Sequence, residues 1–122
     1  MFMIDCMATS GIFRIFLGAA NGITVAGEST GIAGSFSYQL NSPTAVLLDP
    51  FNNIYILDMG NSRIQRWSAG ANSGTTVVAT TMGSPQGMRF DLSRNIVMAD
   101  TNYHRVQRFP VWCRTFNSTH LG

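Results

Sequence analysis

The sequence SPTAVLLDPFNNIYILDMGNSRIQRW, residues 42–67, recurs in similar form 42 positions later as SPQGMRFDLSRNIVMADTNYHRVQRF, residues 84–109. Aligned without a gap, the two stretches are identical at nine of 26 positions, and pairs such as Ile64 and Val106 are chemically similar. Self-similarity at a fixed spacing indicates a repeat architecture, in which each copy folds as one structural unit. The identical pairs are Ser42 and Ser84, Pro43 and Pro85, Asp49 and Asp91, Asn53 and Asn95, Ile54 and Ile96, Asp58 and Asp100, Arg63 and Arg105, Gln65 and Gln107, and Arg66 and Arg108.

Each copy predicts short β-strands. Apolar and β-branched residues occur in runs of about five, bounded by Gly, Asn, Asp and Pro, which is the usual strand signature. No stretch keeps a 3.6-residue apolar period for about 11 residues, so we expect almost no helix. The predicted strands are residues 44–48, 54–58, 63–67 and 75–79 in the first copy, and 86–90, 96–100 and 105–109 in the second, where a fourth strand is not defined.

A unit of about 42 residues with four strands has the size of a β-propeller blade. The order of residues within it resembles the NHL repeat, whose pattern joins Pro, an apolar strand, Asp, a turn with Asn, a second strand ending in Asp, and Asn-x-Arg. The second copy departs from that pattern at Tyr103, where the first has Asn61, and carries Asn102 one position earlier. The residues that match the pattern, all expected to be structural, are Pro43, Asp49, Asn53, Asp58, Asn61, Arg63, Pro85, Asp91, Asn95, Asp100 and Arg105.

The resemblance implies an all-β fold, namely a partial β-propeller of two to two-and-a-half four-stranded antiparallel blades. We divide the chain into an atypical segment 1–13, a partial blade 14–39, blades 40–81 and 82–109, and an atypical tail 110–122. The partial blade rests on GITVAG, residues 22–27, which is similar to GTTVVA at residues 74–79. Propellers close with about 4–8 blades, and NHL propellers resemble a ring of six. We therefore expect a piece of a larger propeller, or a subunit that completes a ring with its own copies, with both outer sheet faces bare.

Composition narrows the function only slightly. Charged residues make up 11% of the chain, the net charge is +2, and all eight basic residues are Arg. Because Arg suits bidentate pairing with carboxylates, we expect Arg–Asp pairs within the fold. Cys6 and Cys113 form no CxxC or Cys/His metal spacing, and their redox state is open. No apolar run approaches the 18 or so residues of a membrane helix.

No enzyme is expected. The sequence has no GxSxG, HExxH, P-loop or GxGxxG motif. His104 and His120 are too few for a zinc site, and the carboxylates recur with the repeat as turn residues. We therefore predict no catalytic residue, no metal and no cofactor.

A protein-binding scaffold is the preferred function. If each blade runs up and down four times, the loops between its second and third strands share a rim with the blade-to-blade loops, and aromatic and amide side chains there are suited to recognition. An RNA-binding or substrate-recognition propeller of a tripartite-motif-type ubiquitin ligase is one alternative, and a remnant of a six-bladed lyase or lactonase is another. The candidate rim residues are Tyr38, Asn41, Met59, Asn61, Ser62, Tyr103 and His104, with Phe36 and Ser42 beside them.

Overall fold

The computed structural model describes residues 22–111, and within that range the chain is all-β. Cys6, Cys113, His120 and the segments 1–13 and 112–122 lie outside the described residues, as does the start of the predicted partial blade. No helix in residues 22–111 is long and apolar enough to cross a membrane. The strands are β1 (Pro43–Leu48), β2 (Ile54–Asp58), β3 (Arg63–Trp67), β4 (Thr75–Ala79), β5 (Pro85–Phe90), β6 (Ile96–Asp100) and β7 (Arg105–Phe109).

These strands form two antiparallel sheets. The first sheet has the order β1-β2-β3-β4, and the second has the order β5-β6-β7. Within each sheet consecutive strands are neighbours, as expected for short turns between strands that pair antiparallel. All seven predicted strands are confirmed, and the only difference is that β1 and β5 each begin one residue earlier, at a proline.

The two sheets repeat one another in register as well as in sequence. Pro43 lies opposite Asp58 and Pro85 opposite Asp100, and a bulge follows each proline. Between the second and third strands of each sheet, a short 3-10 helix leads to a residue in the left-handed region, Ser62 with φ 51° or His104 with φ 54°. A shift of 42 residues therefore relates the backbones of the two sheets without an insertion or a deletion.

The core lies between the sheets. Leu57 and Ile64 of the first sheet are fully buried, and their cluster includes Met88 and Met98 of the second sheet. β1 packs against β5, and the Thr44 hydroxyl donates a hydrogen bond of 2.9 Å to a backbone carbonyl of β5. Side chains alternate along a strand, so each sheet has two different faces, and the inter-sheet contact joins unlike faces.

The other face of the first sheet is not bare, contrary to the expectation from the sequence. Ile56 and Trp67 on that face are 4% and 2% exposed. Residues 22–40, which contain no strand, approach it: the Ser37 carbonyl accepts a hydrogen bond from the Gly74 N–H at 2.8 Å. The run 22–27, similar in sequence to β4, thus lies outside any sheet. A segment without strand periodicity covers β2 and β3.

We predict that Leu57→Ala lowers the free energy of unfolding by about 2–5 kcal/mol, because it empties a fully buried site between the sheets. Leu92→Ala is the matched control, since that leucine lies in the β5–β6 turn and is fully exposed. Urea unfolding followed by tryptophan fluorescence measures both variants. Equal stability of the two would contradict a core between the sheets.

Candidate functional site

Both sheets have the same short 3-10 turn at one end, between β2 and β3 in the first sheet and between β6 and β7 in the second. We call this surface the loop edge: residues 58–63 and 100–105, together with the incoming residues 41–42 and 83–84. Because β1 packs on β5 with Thr44 bonded to Pro85, the corresponding loops of the two sheets emerge on the same side of the molecule.

The Asp58 carboxylate organises the first half of the loop edge. It is fully buried, and Oδ1 accepts the Asn41 N–H at 2.6 Å. Oδ2 accepts Arg63 Nε at 2.7 Å and Asn61 Nδ2 at 2.8 Å. One side chain therefore joins the entry to β1, the end of β2 and the start of β3, as the Asp–Arg prediction required.

Arg63 extends this connection into the segment that covers the first sheet. Its Nη2 donates to the carbonyls of Phe36 and Gln39 at 3.1 and 2.8 Å, and Nη1 donates to the Ser35 carbonyl at 3.0 Å. The guanidinium thus has a carboxylate on one side and three backbone acceptors on the other. Its donors are used inside the fold.

Asp100 repeats the arrangement in the second half with fewer bonds. Its carboxylate is fully buried and accepts the Gly83 N–H at 2.7 Å and Arg105 Nε at 3.0 Å. Tyr103 stands where the first sheet has Asn61, so the amide bond to the carboxylate is missing. Asn102 does not replace it, because its amide donates to the Ser84 hydroxyl at 3.0 Å instead.

The opposite edge carries a second pair of equivalent carboxylates. Asp49 accepts the N–H groups of Phe51 and Asn53 and the side-chain amide of Asn53, each at 2.9 Å. Burial works against its ionised form, but these hydrogen bonds outweigh burial and hold the pKa of Asp49 below its ordinary value of 3.8. At both ends of the strands in the first sheet, a buried carboxylate therefore accepts hydrogen bonds from the adjoining loop.

The same turn recurs at Asp91. The Asn95 side-chain amide, the Asn95 and Ser93 N–H groups and the nearby Arg108 lower the pKa of Asp91 from 3.8. Arg108 Nε lies 3.2 Å from the carboxylate, an ion pair that spacing alone did not predict. The prediction that these aspartates occupy equivalent turns is confirmed.

The predicted rim residues divide into two groups. Tyr103 and His104 are exposed on the loop edge, and Tyr103 lies beneath the Arg105 guanidinium at 5.0 Å. Asn61 is half-buried, and its amide is bonded to the Gly34 carbonyl and to Asp58. Asn41, Ser42, Met59 and Ser62 lie on the same edge.

Tyr38 lies apart from the loop edge. It stacks on Phe36 with ring centres 5.8 Å apart, and it borders an open depression of about 270 Å³ with Trp67 and Asn72 at the far end of β3. The covering segment carries Tyr38 there because it crosses the sheet before entering β1. The sequence has no periodic signal in that segment from which this path follows.

Two buried interactions had no signal in the repeat pattern. Trp67 Nε1 donates to Gln65 Oε1 at 3.0 Å within the covered face. The Tyr55 hydroxyl lies 3.5 Å from Asp49, and burial together with that carboxylate raises the pKa of Tyr55. Each depends on a residue that the second copy lacks.

The buried carboxylates of Asp58 and Asp100 are committed to backbone N–H groups and to guanidinium groups. Among residues 22–111, no three His, Cys, Asp or Glu side chains are grouped so as to hold a metal ion. No protein-family model matches the chain, and no curated protein matches it.

We predict that Asp58→Ala lowers the free energy of unfolding by about 1–3 kcal/mol, because it leaves a buried N–H and the Arg63 guanidinium without their acceptor. Asp100→Ala is the matched variant and should cost less, since Arg105 is 43% exposed and can be solvated. Chemical unfolding measures both. An Asp58→Ala protein with unchanged stability would contradict the structural role.

Stability should also depend on acid through Asp49 and Asp91. Their pKa values are lower in the folded than in the unfolded chain, so their stabilising contribution is present above the ordinary value of 3.8 and is lost as the pH falls through the folded values. Urea unfolding at a series of pH values measures the slope. Asp49→Asn should be less stable near neutral pH and should show a shallower acid decline, whereas an unaltered slope would refute the assignment.

Proposed function

We propose that the two sheets are consecutive blades of an NHL-type propeller, and that the chain is a non-enzymatic scaffold that binds a protein partner at the loop edge. The supporting observation is that the loop edge combines buried groups that recur in both copies with exposed side chains that do not recur. Its equivalent atoms, the Asp58 and Asp100 carboxylates with their arginines, are buried or bonded within the sheets. Its exposed side chains in the second copy, Tyr103 and His104, stand where the first copy has the half-buried Asn61 and Ser62.

Rigid loops with variable exposed side chains are typical of recognition surfaces. Asn61 and Ser62 of the first copy correspond to Tyr103 and His104 of the second. The same backbone turn therefore carries different side chains in the two copies. Tyr103 is 50% exposed and offers an aromatic face with a polar tip, a residue type that often dominates protein interfaces. The proposed contact centres on Tyr103.

A protein partner fits these groups better than RNA. RNA recognition requires free cationic groups beside stacking aromatics. Here the Arg63 donors are taken up by Asp58 and backbone carbonyls, and Arg105 and Arg108 each lie within 3.2 Å of an aspartate. The exposed guanidinium of the loop edge, that of Arg105, is therefore paired with Asp100 and lies over the Tyr103 ring.

The test compares capture by the chain with capture by Tyr103→Ala, using Leu92→Ala as a control on an exposed residue away from the loop edge. We expect a protein recovered by both the unaltered chain and the control to bind the Tyr103 variant at least ten-fold more weakly, as for an aromatic interface residue. Purified partner and calorimetry measure the affinities. Equal affinity of all three proteins would reject the loop edge, and retention of RNA in place of protein would favour the nucleic-acid alternative.

A further inference from the structure

The second sheet has an outward face that no described residue covers. We call it the open face: Gly87, Arg89, Val97, Ala99 and Val106, on the side of the sheet away from the core. Val106 is 68% exposed and Ala99 is exposed. A depression of about 630 Å³ runs along this face and reaches β1.

The repeat identifies what this face corresponds to. Shifting the chain by 42 residues puts Ala99 on Leu57 and Val106 on Ile64. Leu57 and Ile64 are fully buried by the second sheet. The open face is thus the repeat counterpart of a face that this chain itself covers with a sheet.

The same shift identifies the surface that would cover it. Met88 and Phe90, on the β5 surface that packs against the first sheet, correspond to Val46 and Leu48 of β1. Those two side chains are 57% and 60% exposed, and we call them the β1 strip. The chain therefore repeats one half of the inter-sheet contact as the open face. It repeats the other half in part, as the exposed β1 strip, because Ile56 and Trp67 beside the strip lie under residues 22–40.

We propose that the open face of one copy docks on the β1 strip of a second copy, head to tail. The β1 strip lies on the face of the first sheet that points away from the second sheet, so it can meet an open face only on another copy. The covering segment beside the strip adds exposed apolar side chains, including Ile23 at 88% and Ile32 at 60%. Apolar area removed from water on both sides drives the contact.

Polar groups agree with this docking. In the inter-sheet contact the Thr44 hydroxyl donates to the Pro85 carbonyl. The equivalent pair across copies is the exposed Gln86 side-chain amide and the carbonyl of Pro43. Arg89, which replaces Leu47, can lay its aliphatic stem over Leu48 and keep its guanidinium in water.

Unlike surfaces that meet head to tail form a ring where the rotation between copies closes, and an open filament where it does not. If each copy contributes two sheets at one constant angle, three copies give six sheets. This inference rests on the sheet repeat and is independent of partner binding at the loop edge, so either can fail without the other.

The test uses light scattering coupled to size exclusion, over a range of concentrations up to tens of micromolar. Val106→Arg blocks the open face, Val46→Arg blocks the β1 strip, and Leu92→Arg is the control on a turn. The unaltered chain and the control should form assemblies larger than one chain. Each blocked variant alone should remain a monomer, with circular dichroism and cooperative melting that show an intact fold.

Mixing the two blocked variants in equal amounts is the decisive step. Each retains one intact surface, so the mixture should form a species of twice the chain mass and nothing larger. A monomeric unaltered chain, or a mixture that stays monomeric, overturns the proposal. If Val106→Arg does not fold, Ala99→Arg and Leu48→Arg repeat the test at the same two surfaces, and assembly unchanged in both also overturns it.

Discussion

The structure depends on a carboxylate placed where water is excluded. An ionised carboxylate is costly to bury unless hydrogen bonds and an opposite charge compensate it. Asp58 is fully buried, and the backbone N–H of Asn41, the amide of Asn61 and the guanidinium of Arg63 supply that compensation. Meeting this requirement brings three chain segments to one point. The loop edge forms where these three segments meet.

The two faces of each sheet differ, and the contact between the sheets joins one kind of face to the other. Leu57 and Ile64 meet Met88 and Met98, so the inter-sheet contact is between unlike surfaces. A stack of sheets joined in this way has two unlike outer faces. The two outer faces are therefore covered or exposed in different ways. At one end the covering segment buries Ile56 and most of the β2–β3 surface; at the other, the apolar groups of the second sheet stay exposed.

The second copy preserves the frame while losing supporting bonds. Phe109 replaces Trp67, so Gln107 Oε1, which corresponds to the acceptor of the indole N–H, is buried without a hydrogen-bond partner. Tyr103 replaces Asn61 and removes one donor to Asp100. The backbone register is nonetheless the same in both sheets, so neither of these two bonds is needed to set it.

The sequence by itself determined the strands, their spacing and the aspartate–arginine pairs, because alternation, turn residues and the 42-residue repeat are local signals that the backbone must obey. The two-residue period of a strand also places Ile64 and Trp67 on opposite faces of β3. Only the tertiary structure decided that Trp67 is buried, that Arg63 binds carbonyls of the covering segment, and that Tyr38 leaves the loop edge. Residues 22–40 carry no strand or helix period, so their path is set by the apolar face they cover and by the backbone acceptors they offer to Arg63. Those are long-range contacts, which a repeat pattern does not encode.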